Sequence, residues 1–155
     1  MQQLMQALEQ EQNLLNRAVL AAFLYTGIRM DEFLTLKRSD YVNTNIQNTL
    51  RVVSPRGIER FIPLNDKFTL TLDEYLMTRM DSGEDLFSTE LHKAFTRYHI
   101  RKIFDVFNVN SRQLRQTFVS ELIRLNISIP EISNLVYGGN ESIVKNLDSL
   151  YNDII

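Results

Sequence analysis

With 155 residues, 44% of them hydrophobic and 23% charged, the chain is long enough to close an ordinary globular core. It has no cysteine, which excludes a disulfide framework and a thiolate metal site, and no apolar run approaches the roughly 18 residues of a membrane span. The start Met1-Gln2-Gln3-Leu4-Met5-Gln6 lacks the basic region of a secretory signal, so the expected location is cytoplasmic.

From Leu4 to Leu15, apolar residues at 4, 5, 8, 14 and 15 stand among glutamines and glutamates, the pattern of a helix with one wet side. Residues 16 to 25 continue as Ala18-Val19-Leu20-Ala21-Ala22-Phe23-Leu24, apolar on every face, which predicts a central buried helix. Gly27 is its expected stop, because glycine accepts the left-handed conformation that ends helices. A new helix is predicted from Met30, with Asp31 and Glu32 favouring its dipole and Phe33, Leu34 and Leu36 apolar. Arg29 then stands at a junction between two helices.

From Tyr41 the period changes. Leu50-Arg51-Val52-Val53 and Arg60-Phe61-Ile62-Pro63-Leu64 read as two strands of a hairpin whose turn, Ser54 to Glu59, carries Arg56 near its tip. Residues 40 to 47 offer a third strand. Helix is predicted again over 66 to 80 and over 89 to 107, the second with Leu91, Phe95, Tyr98, Ile103 and Phe107 facing inward. Asn110 to Phe118 opens a further helix on which Arg112 and Arg115 lie three apart and point the same way. Thr117 to Leu125 continues it, with Phe118, Leu122 and Leu125 at core spacing. Pro130-Glu131 begins a short helix through Val136, Gly138-Gly139 breaks it, and residues 141 to 152 read as a last helix. The expected fold is mainly α with a small antiparallel β-sheet, an α+β arrangement forming one domain over residues 1–155.

The net charge of −2 argues against indiscriminate binding to nucleic acid, but the charge is unevenly spread. Residues 29–60 hold six Lys or Arg against four acids and 93–124 hold seven against two, while 61–92 and 125–155 are acidic. A fold that joins the two basic blocks gives a polar face for an anion; otherwise each block is a solvated helix face. Two guanidiniums on one turn suit a phosphate. His92 and His99 are seven apart, a spacing that argues for surface or half-buried histidines and no metal site.

The run Tyr25-Thr26-Gly27-Ile28-Arg29-Met30-Asp31-Glu32-Phe33-Leu34-Thr35-Leu36 with Ser39-Asp40 resembles the first signature of the tyrosine recombinase (phage integrase) catalytic domain. In order after it, Glu59 to Leu64 resembles that family's hairpin strand, Asp85-Leu86-Phe87 its Leu-Phe segment, and Leu114-Arg115-Gln116-Thr117-Phe118 its second box. The resemblance implies site-specific recombination: a tyrosine attacks a DNA phosphodiester to give a 3′-phosphotyrosine, without metal or cofactor, while arginines stabilise the charge that builds on the phosphate.

On that resemblance Arg29 and Arg115 match the two phosphate arginines and Glu32 a supporting residue. Arg112 stands where the family has histidine, and Arg56 where it has the hairpin lysine; both keep charge but are poor proton exchangers. Gly139 replaces the histidine of a Gly-His pair. The nucleophile's place falls near Leu147 or Asp148, so either a short insertion after Gly138 moves it to Tyr151, or it is lost and Tyr151 is an apolar anchor. The implied partner is double-stranded DNA, engaged as a homo-tetramer, with a monomer expected in its absence. The family's amino-terminal DNA-clamping (core-binding) domain has no counterpart in the 155 residues. The alternative function is a noncatalytic recombinase relative that binds DNA or regulates another recombinase.

Overall fold

The computed structural model describes residues 2–44 and 46–138. The expected last helix over residues 141 to 152, with Tyr151, lies outside the described residues, as do Gly139, Leu147 and Asp148. Seven helices, α1 (Gln2–Gln10), α2 (Leu14–Thr26), α3 (Met30–Phe33), α4 (Asp66–Thr78), α5 (Arg97–Phe107), α6 (Ser111–Arg124) and α7 (Ile129–Tyr137), are described around one antiparallel sheet. Its strands are β1 (Tyr41–Val42), β2 (Thr49–Val53) and β3 (Glu59–Pro63), in the order β1-β2-β3. The mainly helical fold with a small antiparallel sheet is therefore the one the sequence predicts.

Helix α2 is the centre because its sequence leaves no polar face: every residue from Ala18 to Leu24 is fully buried. It packs against α1, α4, α5 and α6. Rings extend this core into the α3 turn. Phe23 stacks on Phe33 at 4.8 Å, Phe33 on Phe87 at 4.6 Å and Phe87 on Tyr75 at 5.5 Å, while Phe104 meets Phe23 edge-on at 4.9 Å. Phe33 is thus clamped on both sides, and the residues just before it inherit a fixed position.

Gly27 ends α2 at φ 64°, its N–H bonded to Phe23 O at 3.1 Å. A Cβ there would meet Phe118 Cδ1 of α6 at 2.4 Å. The glycine is required twice over, by the left-handed turn and by the approach of α6. That approach brings the α2–α3 junction and α6 together.

Leu86 and Phe87 enter the core from a loop ordered by Arg79, whose side chain is 3% exposed. Its guanidinium donates to both Asp81 carboxylate oxygens, at 2.9 and 2.7 Å, and to the carbonyls of Asp85 and Leu86, at 2.6 and 2.9 Å. The hydrogen bonds from Arg79 hold the Asp81 carboxyl well below the usual carboxylate range.

Several expected boundaries shift, each for a local reason. The first helix stops at Gln10, and the Asn13 side chain then accepts from Asn16 N–H at 3.0 Å, capping α2 as a separate helix. Helix α3 is one turn only, because Leu36 O is taken by Leu86 N–H at 3.0 Å and the chain is drawn out to pair Lys37 with Asp85. Helix α5 begins at Arg97, not near Thr89. Thr89 N–H donates to Lys93 O and Thr89 Oγ1 accepts from Lys93 N–H to close a local turn, His92 adopts φ 60°, and the Thr96 N–H donates to His99 Nδ1 at 3.1 Å to cap the helix. Leu91 and Tyr98, expected to face inward, are 77% and 63% exposed, and Leu125 is exposed as well.

Gly27→Ala should cost about 2–4 kcal/mol, the sum of left-handed strain and a collision with a packed ring. Denaturant melts of the two proteins check it; a loss below about 1 kcal/mol would mean that α6 does not seat on the junction as described.

Candidate functional site: two arginines on one tyrosine

Arg29 is the residue before α3, in extended conformation at φ −88° and ψ 158°. Its backbone N–H donates to Glu32 Oε1 at 3.0 Å, so the same carboxylate that opens the helix fixes the backbone from which the Arg29 side chain leaves. That side chain is exposed. Arg115 leaves α6 one turn after the Asn110 cap and is half-buried. The two meet on the ring of Tyr137, at the end of α7: the Arg29 guanidinium carbon lies 5.6 Å from the ring centroid and that of Arg115 lies 4.8 Å from it. Arg115 Nη2 also reaches Val136 O at 3.4 Å. The two basic blocks of the sequence therefore converge.

The carboxylate near them belongs to another cation. Glu32, 2% exposed, receives the Arg60 guanidinium edge-on, Nη1 to Oε2 at 2.5 Å and Nη2 to Oε1 at 2.9 Å. Arg60 Nε donates to Leu135 O at 2.9 Å. Ion pairing of Glu32 with Arg29 or Arg115 side chains is not what forms; Arg60 takes both oxygens. Arg60 carries a signal of its burial in the sequence. On β3 it shares its parity with Ile62, and residues of one parity share a face, so Arg60 had to point into the core with Ile62. Tyr137, the last residue of α7, is the ring both arginines touch.

Among the described residues, three guanidiniums thus gather about one carboxylate, an excess of positive charge. Burial pushes the Arg115 guanidinium down to about 10, and the like charge of Arg29 adds to this. It stays protonated at neutral pH, held in a place that an anion would relieve. For Glu32, burial alone would raise the carboxyl, but the Arg60 hydrogen bonds and charge, with the Arg29 N–H, outweigh it and hold it below its ordinary value.

The remaining candidates sit differently. Arg112 is exposed on the first turn of α6, one turn before Arg115. Arg56 is exposed at the β2–β3 turn, and among the described residues it pairs with nothing. Gly138 ends α7 at φ 83°, where a Cβ would stand 2.9 Å from Ile58 Cγ2 and 3.1 Å from Glu59 O, so the start of β3 lies against the point where the chain leaves α7. Among the described residues no group of acids and histidines is arranged to hold a metal ion, and no helix is long and apolar enough to cross a membrane.

Because the Glu32 carboxyl is lowered on folding, the stability it contributes is present above its unfolded value near 4.5 and is lost as pH falls through its folded value. Glu32→Gln should lose about 3 kcal/mol at pH 7, since it leaves the Arg60 charge buried without its partner. The variant's stability should also fall less steeply than the wild type's below about pH 4.5, a comparison made by urea melts across pH.

Residues 1–146 match the family described as Phage integrase family. The TnP I resolvase of Bacillus thuringiensis is 26% identical over 139 residues, 84% of this chain and 48% of the resolvase, so the chain spans about half the length of that relative. Among solved structures, the XerA recombinase superposes with a TM-score of 0.79 at 22% identity, covering 99% of this chain and 60% of that one. The XerH site-specific recombinase, solved bound to its difH substrate, gives 0.73 at 18% identity, covering 97% and 47%. The Tn1549 transposon integrase, solved with circular intermediate DNA, gives 0.71 at 14% identity, covering 99% and 62%. At these identities the structures establish the fold, and the family match establishes membership: with its Thr26-Gly27-Ile28-Arg29 turn and its Leu114-Arg115 helix meeting at one point, the chain belongs to the phage integrase family of tyrosine recombinases.

Proposed function

We propose that this chain is the catalytic part of a site-specific DNA recombinase or integrase, which cleaves and rejoins duplex DNA through a 3′-phosphotyrosine. One observation carries the reading. Arg29 and Arg115, from distant parts of the sequence, converge on a single ring, and among the described residues the nearby Glu32 carboxylate hydrogen-bonds the Arg60 guanidinium rather than either of theirs. Two planar forks aimed at one place match the oxygens of a phosphodiester, and charge growing on those oxygens during attack is stabilised by donors already in position.

In the step itself the Tyr151 Oη forms a bond to phosphorus as the bond from phosphorus to the 5′-oxygen breaks. The phenolic proton is lost, and one proton is gained by the departing oxygen. Arg29 and Arg115 hold the phosphate; Glu32 keeps Arg29 in register from behind; Arg112 and Arg56 add positive charge near the phosphate and the leaving oxygen. Neither of the last two exchanges a proton readily at neutral pH, so they supply electrostatics and hydrogen bonds, with water completing the proton path. The reading places the protein in the cytoplasm, acting as a homo-tetramer on paired DNA sites and free as a monomer.

The same two substitutions favour a second reading, a noncatalytic relative that binds DNA and regulates a recombinase. Retention on nicked duplexes from a random-sequence library decides between them. Covalent capture that resists denaturant and disappears in Tyr151→Phe supports catalysis; binding without capture supports the second reading. Arg29→Ala and Arg115→Ala should each slow capture by about 100-fold or more, as loss of a preplaced donor at a charged transition state does. Capture unaffected by either change would overturn the assignment of the site.

A further inference from the structure

We propose that Arg60 is a positioning residue of this site: without touching DNA, it fixes the last turn of α7 relative to the Arg29–Arg115 pair. The proposal deepens the recombinase reading and rests on it for the identity of the ligand.

All the hydrogen-bonding edges of Arg60 are committed to two structures at once. Nη1 and Nη2 hold Glu32, whose Oε1 also holds the Arg29 N–H, and Nε holds Leu135 O. The result is a continuous link from the Arg29 backbone, through Glu32 and Arg60, to the backbone two residues before Tyr137. At 4% exposure the Arg60 side chain is closed off from any ligand, so it acts only through the groups it holds. The neighbouring carbonyl, Val136 O, accepts from Arg115 over a long 3.4 Å. The two halves of the phosphate site are thus referenced to adjacent carbonyls of one helical turn, tightly by Arg60 and loosely by Arg115. Gly138 adds to this, since the strand that carries Arg60 lies where its Cβ would be: Glu59 O at 3.1 Å and Arg60 Cβ at 3.7 Å.

Core glue alone does not call for this chemistry. Apolar side chains of the same volume stabilise a core as well as a buried ion pair does, or better. A planar fork gives direction instead: once both Nη groups face the carboxylate, the direction of the Nε–H on the adjacent side is fixed, and it meets one carbonyl. A shift of about 1 Å in such a site is enough to cost two orders of magnitude in rate.

The test uses a fluorescent duplex of arbitrary sequence at low salt, where backbone phosphates dominate binding. Arg29→Ala, Arg115→Ala and the pair form a double-mutant cycle on affinity. In the wild-type background the two losses should fall short of multiplying by about 10-fold, because both side chains grip one phosphate. Arg60→Lys keeps the charge opposite Glu32 but cannot also reach Leu135 O. In that background each arginine should act independently, the shortfall falling below about 2-fold, while the protein stays folded and binds duplex. Should Arg60→Lys unfold, Arg60→Met with Glu32→Met removes both charges and serves in its place. A folded variant that keeps the full 10-fold coupling would overturn the proposal. If the wild-type affinity ignores both arginines, the recombinase reading of the site fails instead, which is a separate outcome.

Discussion

The buried pairing of Arg60 with Glu32 is the constraint to which the rest of this site is tied. It joins the hairpin, the α2–α3 junction and α7. The pair is nearly inaccessible, at 4% and 2% exposure, and each partner is satisfied beyond the other. Desolvating two charges costs several kcal/mol, which the paired geometry must offset. Glu32 accepts from Arg60 and from the Arg29 N–H, and Arg60 also bonds Leu135 O. The hydrophobic core explains why the chain folds; the ion pair ties the Arg29 backbone to the last turn of α7, whose ring both arginines touch.

Packing prepares the same result from the other side. Phe33 lies between Phe23 and Phe87, so the α3 turn moves only if the central helix and the 86–87 segment move with it. Gly27 lets Phe118 reach the end of α2, and Phe118 sits one turn after Arg115 on α6. A short aromatic stack and one missing Cβ therefore set the distance between the two arginine-bearing elements. Small residues and rings at such points are as much part of the site as the charges are.

What could be read from the sequence follows from how local each determinant is. The α2 helix, its Gly27 stop, the hairpin and the arginine-bearing helix rest on short patterns, and the structure has them. The 89–107 segment was over-extended because its apolar residues keep a helical spacing. A turn closed by Thr89 and the Thr96–His99 cap overrides that pattern. The burial of Arg60 is hard to read because a charged residue in a hairpin strand is normally on the wet face, and only its place two residues before Ile62 on the same strand argues otherwise. The meeting of Tyr137 with both arginines could not be read at all. It depends on α7 packing back over β3, a contact between residues some 75 positions apart.

The arrangement also separates two tasks that phosphoryl transfer usually combines. Stabilising charge on a phosphate needs only fixed cations, the role the proposed function gives to Arg29 and Arg115. Moving protons needs groups that titrate near neutrality, and arginine at positions 56 and 112 is a poor choice for that. In the absence of DNA, the Tyr137 ring faces both guanidiniums, an attraction worth about 0.5–2 kcal/mol per cation. That is less than charge-assisted hydrogen bonds to a phosphate return. The ring therefore holds the pair ready without competing seriously for it. On the proposed reading, such a site could bind a phosphodiester whether or not it cuts one, so affinity for DNA and turnover would be independent, and only the second would require a nucleophile.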